Sequence, residues 1–292
     1  MLVLDGKIAS QSVIKDLKEK TSLLINSNKR TPHLAAILVG TDGASETYVA
    51  SKIKHCVEIG FVSSFFRMDE NTDEKTVLNK IEELNNDNNV DGILVQLPLP
   101  KHISEQKIIY AIHPDKDVDG FHPKNIGKMV LGNPSFIPAT PYGILLMLEH
   151  FKISTKAKHA VVIGRSNIVG RPMSILLSSN ILKGNCTVTI CHSHTANLKE
   201  LCLQADIIVA ALGKPGFVTA DMVKENAVVI DVGITRIPDE TKKRGFRLQG
   251  DVDYTEVSKK ASAITPVPGG VGLMTIAALM KNTYQAYAAK QH

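Results

Sequence analysis

Long apolar runs, paired cysteines and concentrated charge are all missing from this 292-residue sequence. No stretch approaches the roughly 20 apolar residues that a bilayer crossing needs, so a membrane partner is not expected. The four cysteines (Cys56, Cys186, Cys191 and Cys202) form no C-x-x-C pair, which in a chain of this size points to reduced thiols in the cytosol. Cys186, Cys191, His192 and His194 could be read as metal ligands. Their side chains alternate across a strand and its following turn, however, and no second cluster completes a tetrahedral set, so no metal is expected. Met1 to Gly6 lacks the charged-then-apolar layout of a signal peptide, and a cytoplasmic location is the expectation. Lys and Arg number 34 against 29 Asp and Glu, a net charge of +5. The only dense basic run is Lys242-Lys243-Arg244, without interleaved aromatics, so no nucleic-acid partner is expected. A mild positive balance does suit anionic small molecules.

What is present is the profile of a globular protein, 43% hydrophobic and 22% charged, at a length that suits two domains. Val13, Ile14, Leu17 and Leu24 fall at helical spacing, and Leu34 to Val39 is a short apolar run ending in Gly40. Ala44 to Ile59 predicts a helix ended by Gly60, and Phe61 to Met68 a strand. Val77, Leu78, Ile81 and Leu84 form a second helical stripe, and Gly92 to Leu97 a buried strand closed by Pro98 and Pro100. A second alternating series predicts strands at 160–163, 187–191, 207–210 and 228–231, with a helix over 171–182 begun at Pro172. Alternation of this kind argues for an α/β chain whose parallel sheets are covered by helices. The Pro- and Gly-rich segment Gly132 to Pro141 is read as the crossing between domains. The final helical segment, 274–289, is expected to return to the first domain. The expected division is 1–139 plus 274–292 against 140–273.

Strand 160–163 runs directly into Gly164-Arg165-Ser166-Asn167-Ile168-Val169-Gly170 and a helix. Glycine permits a sharp turn and close approach to a phosphate, and the helix start offers free N–H groups. The spacing is G-x-S-x-x-x-G, so a purely structural tight turn stays open. At the end of the next strand an acidic residue would select the free 2′-hydroxyl of NAD. Here that position reads Cys191-His192-Ser193-His194-Thr195, with Arg165 close by in such a fold. Imidazole, hydroxyl and guanidinium suit a 2′-phosphate, which favours NADP. Capping of the next helix by His192 and Ser193 is the competing explanation.

Tyr48 and Lys52 stand four residues apart on one helical face. The pair matches the Y-x-x-x-K of short-chain dehydrogenases, but there it follows the glycine turn, whereas here it precedes Gly164 by more than a hundred residues. On spacing alone Lys52 could be a solvated helix lysine and Tyr48 a half-buried core aromatic. Gln96 ends an otherwise apolar strand, where open α/β sheets bind ligands. Pro114 to Gly120 carries Asp115, Asp117 and Asp119, and turn chemistry explains the first two best.

Together these segments resemble one family. Tyr48-x-x-x-Lys52, Asp91 to Pro100 (DGILVQLPLP) and Lys116 to Phe121 (KDVDGF) are similar to the bifunctional methylenetetrahydrofolate dehydrogenase/cyclohydrolases. So are Gly164 to Gly170, Val229 to Ile234 and Thr265 to Gly272 (TPVPGGVG), in family order over nearly the whole chain. The resemblance implies a three-layer α/β catalytic domain and a Rossmann-like NADP-binding domain, usually in a homodimer, with folate in the cleft between domains. It implies Lys52 as the catalytic amine, Tyr48 stacked on the folate rings, Gln96 positioning Lys52, and Asp119 binding the pterin. Leu97, Pro268 and Gly269 would complete the substrate set. Gly164, Arg165, Ser166, Gly170, His192 and Ser193 would hold the cofactor, with Thr140 and Thr275 on its side of the cleft and Ile234 near the nicotinamide. Two positions depart from the family pattern: Leu273 stands in place of a proline and Thr235 in place of an asparagine.

Overall fold

The computed structural model describes residues 1–40, 43–180, 184–242 and 245–291. In chain order the elements are β1 (Leu2–Val3), α1 (Gly6–Asn26), β2 (His33–Val39), α2 (Gly43–Ile59), β3 (Val62–Met68), α3 (Glu74–Asn86) and β4 (Gly92–Val95). Then come α4 (Glu105–Ala111), α5 (Pro123–Val130), α6 (Ala139–His150), β5 (His159–Ile163), α7 (Gly170–Ser178), β6 (Thr187–Cys191), α8 (Leu198–Leu203) and β7 (Ile207–Ala210). The last are β8 (Val228–Asp231), β9 (Thr235–Pro238), β10 (Phe246–Gln249), α9 (Tyr254–Val257), β11 (Ala263–Ile264) and α10 (Val271–Ala289). Two α/β bodies result, one from Ser12–Ala139 with Ile276–His292, the other from Met1–Gln11 with Thr140–Thr275.

The first body holds a three-stranded parallel sheet in the order β3-β2-β4. β2 is central and reads HLAAILV, buried at every position after His33, as a strand covered on both faces must be. The stripe foreseen on α3 buries Val77, Ile81 and Leu84 against Ala35, Ile37 and Ile93 of the sheet. Burying such side chains stabilises by about 1.5–3 kcal/mol each. Asp73 starts α3 by accepting the Thr76 N–H at 2.6 Å, an ordinary N-cap. β4 ends at Val95, two residues short of the expected 92–97 strand, where the chain turns at Gln96.

The second body holds a six-stranded parallel sheet in the order β1-β11-β8-β7-β5-β6. The four strands foreseen here are present. β1 and β11, two residues each, are too short to carry a periodic signal. Pairing of Leu2 with Ala263 and Val3 with Ile264 groups residues 1–11 with this body, whereas the sequence reading had placed them in the first domain. The strand order reverses between β5 and β7, and open α/β sheets bind ligands outside the carboxyl ends of strands at such a switch. α7 runs from Gly170 to Ser178. Leu182 of the expected helix, and Lys243 and Arg244 of the basic triplet, lie outside the described residues. An antiparallel hairpin, β9 with β10, was not foreseen. Among the described residues no helix is long and apolar enough to cross a membrane.

Candidate active site

In the first body, α2 carries Tyr48 and Lys52 one turn apart. Lys52 is not solvated: it is 7% exposed, and its Nζ donates to Gln96 Oε1 at 2.9 Å. Gln96 sits where β4 hands over to the turn, its N–H donated to Ile37 O at 2.9 Å. Its amide NH2 donates to Leu97 O at 2.7 Å, which turns the amide oxygen toward the lysine. Tyr48, Gln96, Leu97 and Asp119 are half-buried.

Asp119 lies within electrostatic reach of Lys52. Burial lowers the Lys52 amine below the ordinary lysine value, and Asp119 opposes that shift only partly. Burial likewise raises the Asp119 carboxyl, with Lys52 pulling the other way. Burial disfavours the charge on each group, and each charge partly sustains the other.

The segment carrying Asp119 is fixed from below. Lys116, 6% exposed, donates to Leu84 O, Asn85 O and Asp87 O at 2.8, 2.8 and 2.7 Å, closing the end of α3. Asp117 accepts from Phe121 N–H at 3.2 Å, His122 N–H at 2.8 Å and Asn125 Nδ2 at 2.9 Å. Burial pushes its carboxyl up to about 6 against those bonds. Gly120 has φ +74° and packs on the Ile137–Pro138 backbone with no room for a Cβ. Asn282 of α10 donates to Val118 O at 2.8 Å and Ile137 O at 2.9 Å. Turn chemistry was the right expectation for Asp117. Its burial, and the work of Lys116 and Asn282, left no trace in the sequence pattern, because a charged residue in a loop normally reads as solvated.

In the second body, β5 ends in Gly164 at φ +130°, whose N–H donates to Cys191 O at 2.9 Å. A Cβ on Gly164 would overlap Ala211 O, and one on Gly170 would overlap Gly164 O. Both glycines are therefore obligatory for this turn. Ser166 Oγ accepts from Val169 N–H at 3.2 Å and Gly170 N–H at 3.3 Å. Arg165 and Ser166 are exposed. Arg165 is near enough to His192 for its charge to lower the imidazole, after desolvation and with help from His194. The ends of β5 and β6 thus present a guanidinium, two imidazoles and the exposed Ser193 with no carboxylate in that run, as a phosphorylated ribose requires. His192 is tied into its own turn, its N–H donating to Thr195 Oγ1 at 2.8 Å. Neither His192 nor Ser193 caps α8, whose N-cap is Asn197 without a side-chain bond. Cys191 and Cys202 lie in the apolar core, and the Cys186 thiol donates to Thr155 O at 3.2 Å.

Thr140 and Thr275 are hydrogen-bonded to each other at 3.1 Å. Ile234 is 38% exposed in the loop after β8. Pro268 follows a cis peptide and Gly269 has φ +108°, and the Gly269 carbonyl accepts the Gly6 N–H at 2.8 Å. Both belong to the second body, apart in the chain from the Lys52 set. Leu273 lies in the first turn of α10 and donates its N–H to Gly270 O at 3.3 Å, a bond proline could not make. Thr235 opens β9 opposite Gln249.

Comparison with known proteins agrees with this arrangement. Residues 4–119 match the family described as tetrahydrofolate dehydrogenase/cyclohydrolase, catalytic domain. Residues 138–291 match its NAD(P)-binding domain. The chain is 58% identical over 290 residues to a bifunctional protein FolD of Cytophaga hutchinsonii, covering 99% of this chain and 100% of that one. A crystal structure of bifunctional methylenetetrahydrofolate dehydrogenase/cyclohydrolase from Campylobacter jejuni is similar at 46% identity, TM-score 0.92 and 99% coverage of both chains. The Trypanosoma brucei dehydrogenase-cyclohydrolase, solved with NADP cofactor and an inhibitor, is similar at 34% identity and TM-score 0.95, covering 100% of this chain and 99% of that one.

Proposed function

Because the chain belongs to the tetrahydrofolate dehydrogenase/cyclohydrolase family, we propose that its two bodies divide the work, folate chemistry on the Lys52 body and cofactor binding on the Gly164 body. The chain oxidises 5,10-methylenetetrahydrofolate to 5,10-methenyltetrahydrofolate with NADP and hydrolyses that product to 10-formyltetrahydrofolate. The glycine turn and the carboxylate-free end of β6 fit NADP, with Gly164, Arg165, Ser166, Gly170, His192 and Ser193 as its holders. Thr140 and Thr275 belong to the cofactor side, and Ile234 stands near the nicotinamide. Held by these residues, NADP would supply the hydride acceptor for the one-carbon bridge. The protein's share in that step is positioning, because the folate nitrogen lone pair helps expel the hydride and no strong base is needed.

Hydrolysis asks more of the side chains. Water adds to the cationic methenyl carbon and its proton passes to the Lys52 amine. The C–N5 bond then breaks as N5 takes that proton back from the Lys52 ammonium and the adduct's hydroxyl proton leaves to solvent, so that the C=O of the formyl group forms on N10. Gln96 holds the amine in place, Tyr48 and Leu97 cover the folate rings, and Asp119 accepts hydrogen bonds from the pterin amide and amino groups. Pro268 and Gly269 complete the substrate set. The observation that carries this reading is the buried Lys52–Gln96 contact, a lysine with its charge disfavoured where a base is needed.

Replacing Lys52 by Ser is expected to cut cyclohydrolase activity at least about a hundredfold, the usual worth of general acid–base catalysis. Unimpaired hydrolysis of methenyltetrahydrofolate by that variant would remove Lys52 from the mechanism. The protein is read as a cytoplasmic homodimer acting on small molecules, without nucleic acid or membrane partners. Sedimentation at micromolar concentration tests the dimer.

A further inference from the structure

Beneath the cofactor-side loops lie two buried carboxylates that the chemistry above does not use. Asp231 ends β8 and is 3% exposed; Asp251 follows β10 and is fully buried. Asp231 accepts from Gly233 N–H at 3.0 Å, Asp251 N–H at 2.9 Å and Val252 N–H at 3.0 Å. Asp251 Oδ2 accepts from Leu212 N–H at 2.6 Å and Gly213 N–H at 2.9 Å. Two side chains therefore tie together the loops after β7, β8 and β10. Both press on the same glycine: Gly233 donates to Asp231, while a Cβ there would overlap Asp251 Oδ1. Asp251 Oδ1 is itself buried with no donor among the described residues, the costly state for a carboxylate oxygen.

Among the described residues all five donors are backbone N–H groups, and none of them carries a full charge to offset two anions. Lys214 lies over the Phe217 ring and Arg236 over the Phe246 ring. Asp253 caps α9 through Glu256 N–H, and Arg247 acts on Asp239. Just after β11, Thr265 offers its hydroxyl, which accepts the Asp231 N–H at 2.7 Å.

We propose that the buried Asp231–Asp251 pair carries one proton, and that this pair is the positioning device that sets the 212–213 and 232–234 loops for NADP. The proton removes the repulsion of two like charges buried on the same loops, where Asp251 N–H donates to Asp231 at 2.9 Å. In keeping with this, burial and the neighbouring Asp251 charge push the Asp231 carboxyl up to about 6, against its three N–H bonds. The functional half rests on the reading that Ile234 borders the nicotinamide. The proton itself does not.

The direct test is a carbon-13 NMR titration of aspartate carboxyl groups in the cofactor-free protein, with the two signals assigned from D231N and D251N. Asp231 is expected to titrate near pH 6. If Asp231 titrates below about pH 4.5, in the ordinary carboxylate range, the added proton is excluded. Calorimetric NADP binding tests the positioning half. D251N keeps an oxygen for Leu212 and Gly213 and supplies an N–H in place of the proton, so its Kd should stay within about threefold of the parent. D251A, which strands two N–H groups, should weaken binding about tenfold or more while methenyltetrahydrofolate hydrolysis continues as a check on folding. Equal NADP affinity in D251A, or equal damage in D251N and D251A, would overturn the positioning role. A normal titration near pH 6 with unchanged NADP affinity would place the fault in the nicotinamide reading alone.

Discussion

At the scale of single residues the chemistry depends on burial more than on residue type. Lys52 and Asp119 are ordinary ionisable side chains, and each is shifted toward neutrality by desolvation that the other only partly offsets. The lysine pKa is depressed, so the neutral amine appears as pH rises through a value below the usual lysine range. Cyclohydrolase kcat should therefore climb with pH along an acid limb, and Lys52→Arg, which stays charged, should abolish the limb. A limb unchanged in Lys52→Arg would assign the titration to another group. Asp119→Asn keeps the size of the side chain but turns one acceptor into a donor. It should weaken folate binding about tenfold, the effect of one lost charge-assisted bond. Unchanged folate affinity by calorimetry would argue that Asp119 does not face the pterin.

At the scale of elements, what the sequence displayed was periodicity. The α3 stripe and the buried β2, β5, β7 and β8 are unambiguous because each repeats an apolar pattern for long enough to be read. β1 and β11 are two residues long and have no period. The β9–β10 hairpin is half-exposed and carries Thr235, Arg236 and Arg247, which look like loop residues. The Lys52 and Gln96 placement was legible through motif resemblance, since the helix and strand bearing them are far apart in the chain. Lys116 was not legible as a structural residue, because capping a helix by a buried ammonium has no periodic signature. Its three carbonyl contacts predict that Lys116→Met destabilises the protein by about 1–3 kcal/mol, the cost of stranding buried acceptors. Denaturant unfolding measures this, and a loss of less than about 0.5 kcal/mol would show that solvent replaces the ammonium.

At the scale of the whole molecule, the two bodies have separate sheets and separate polar frameworks. In one, Lys116, Asp117 and Asn282 hold the Asp119 segment; in the other, Asp231, Asp251 and Thr265 hold the loops around the glycine turn. The coupling of an oxidation to a hydrolysis in one chain then needs no shared catalytic residue. On the function proposed above, the end of β6 selects the cofactor and Lys52 decides the fate of the methenyl product. The measurement that tests this most directly is a single assay of the purified protein with methylenetetrahydrofolate, run with NADP and with NAD, following reduced nicotinamide and 10-formyltetrahydrofolate together. Preferential reduction of NADP with onward conversion to the formyl product is the predicted result. Preference for NAD would contradict the phosphate reading of Arg165 and His192, and methenyltetrahydrofolate that accumulates beyond its uncatalysed rate of hydrolysis would contradict the role of Lys52.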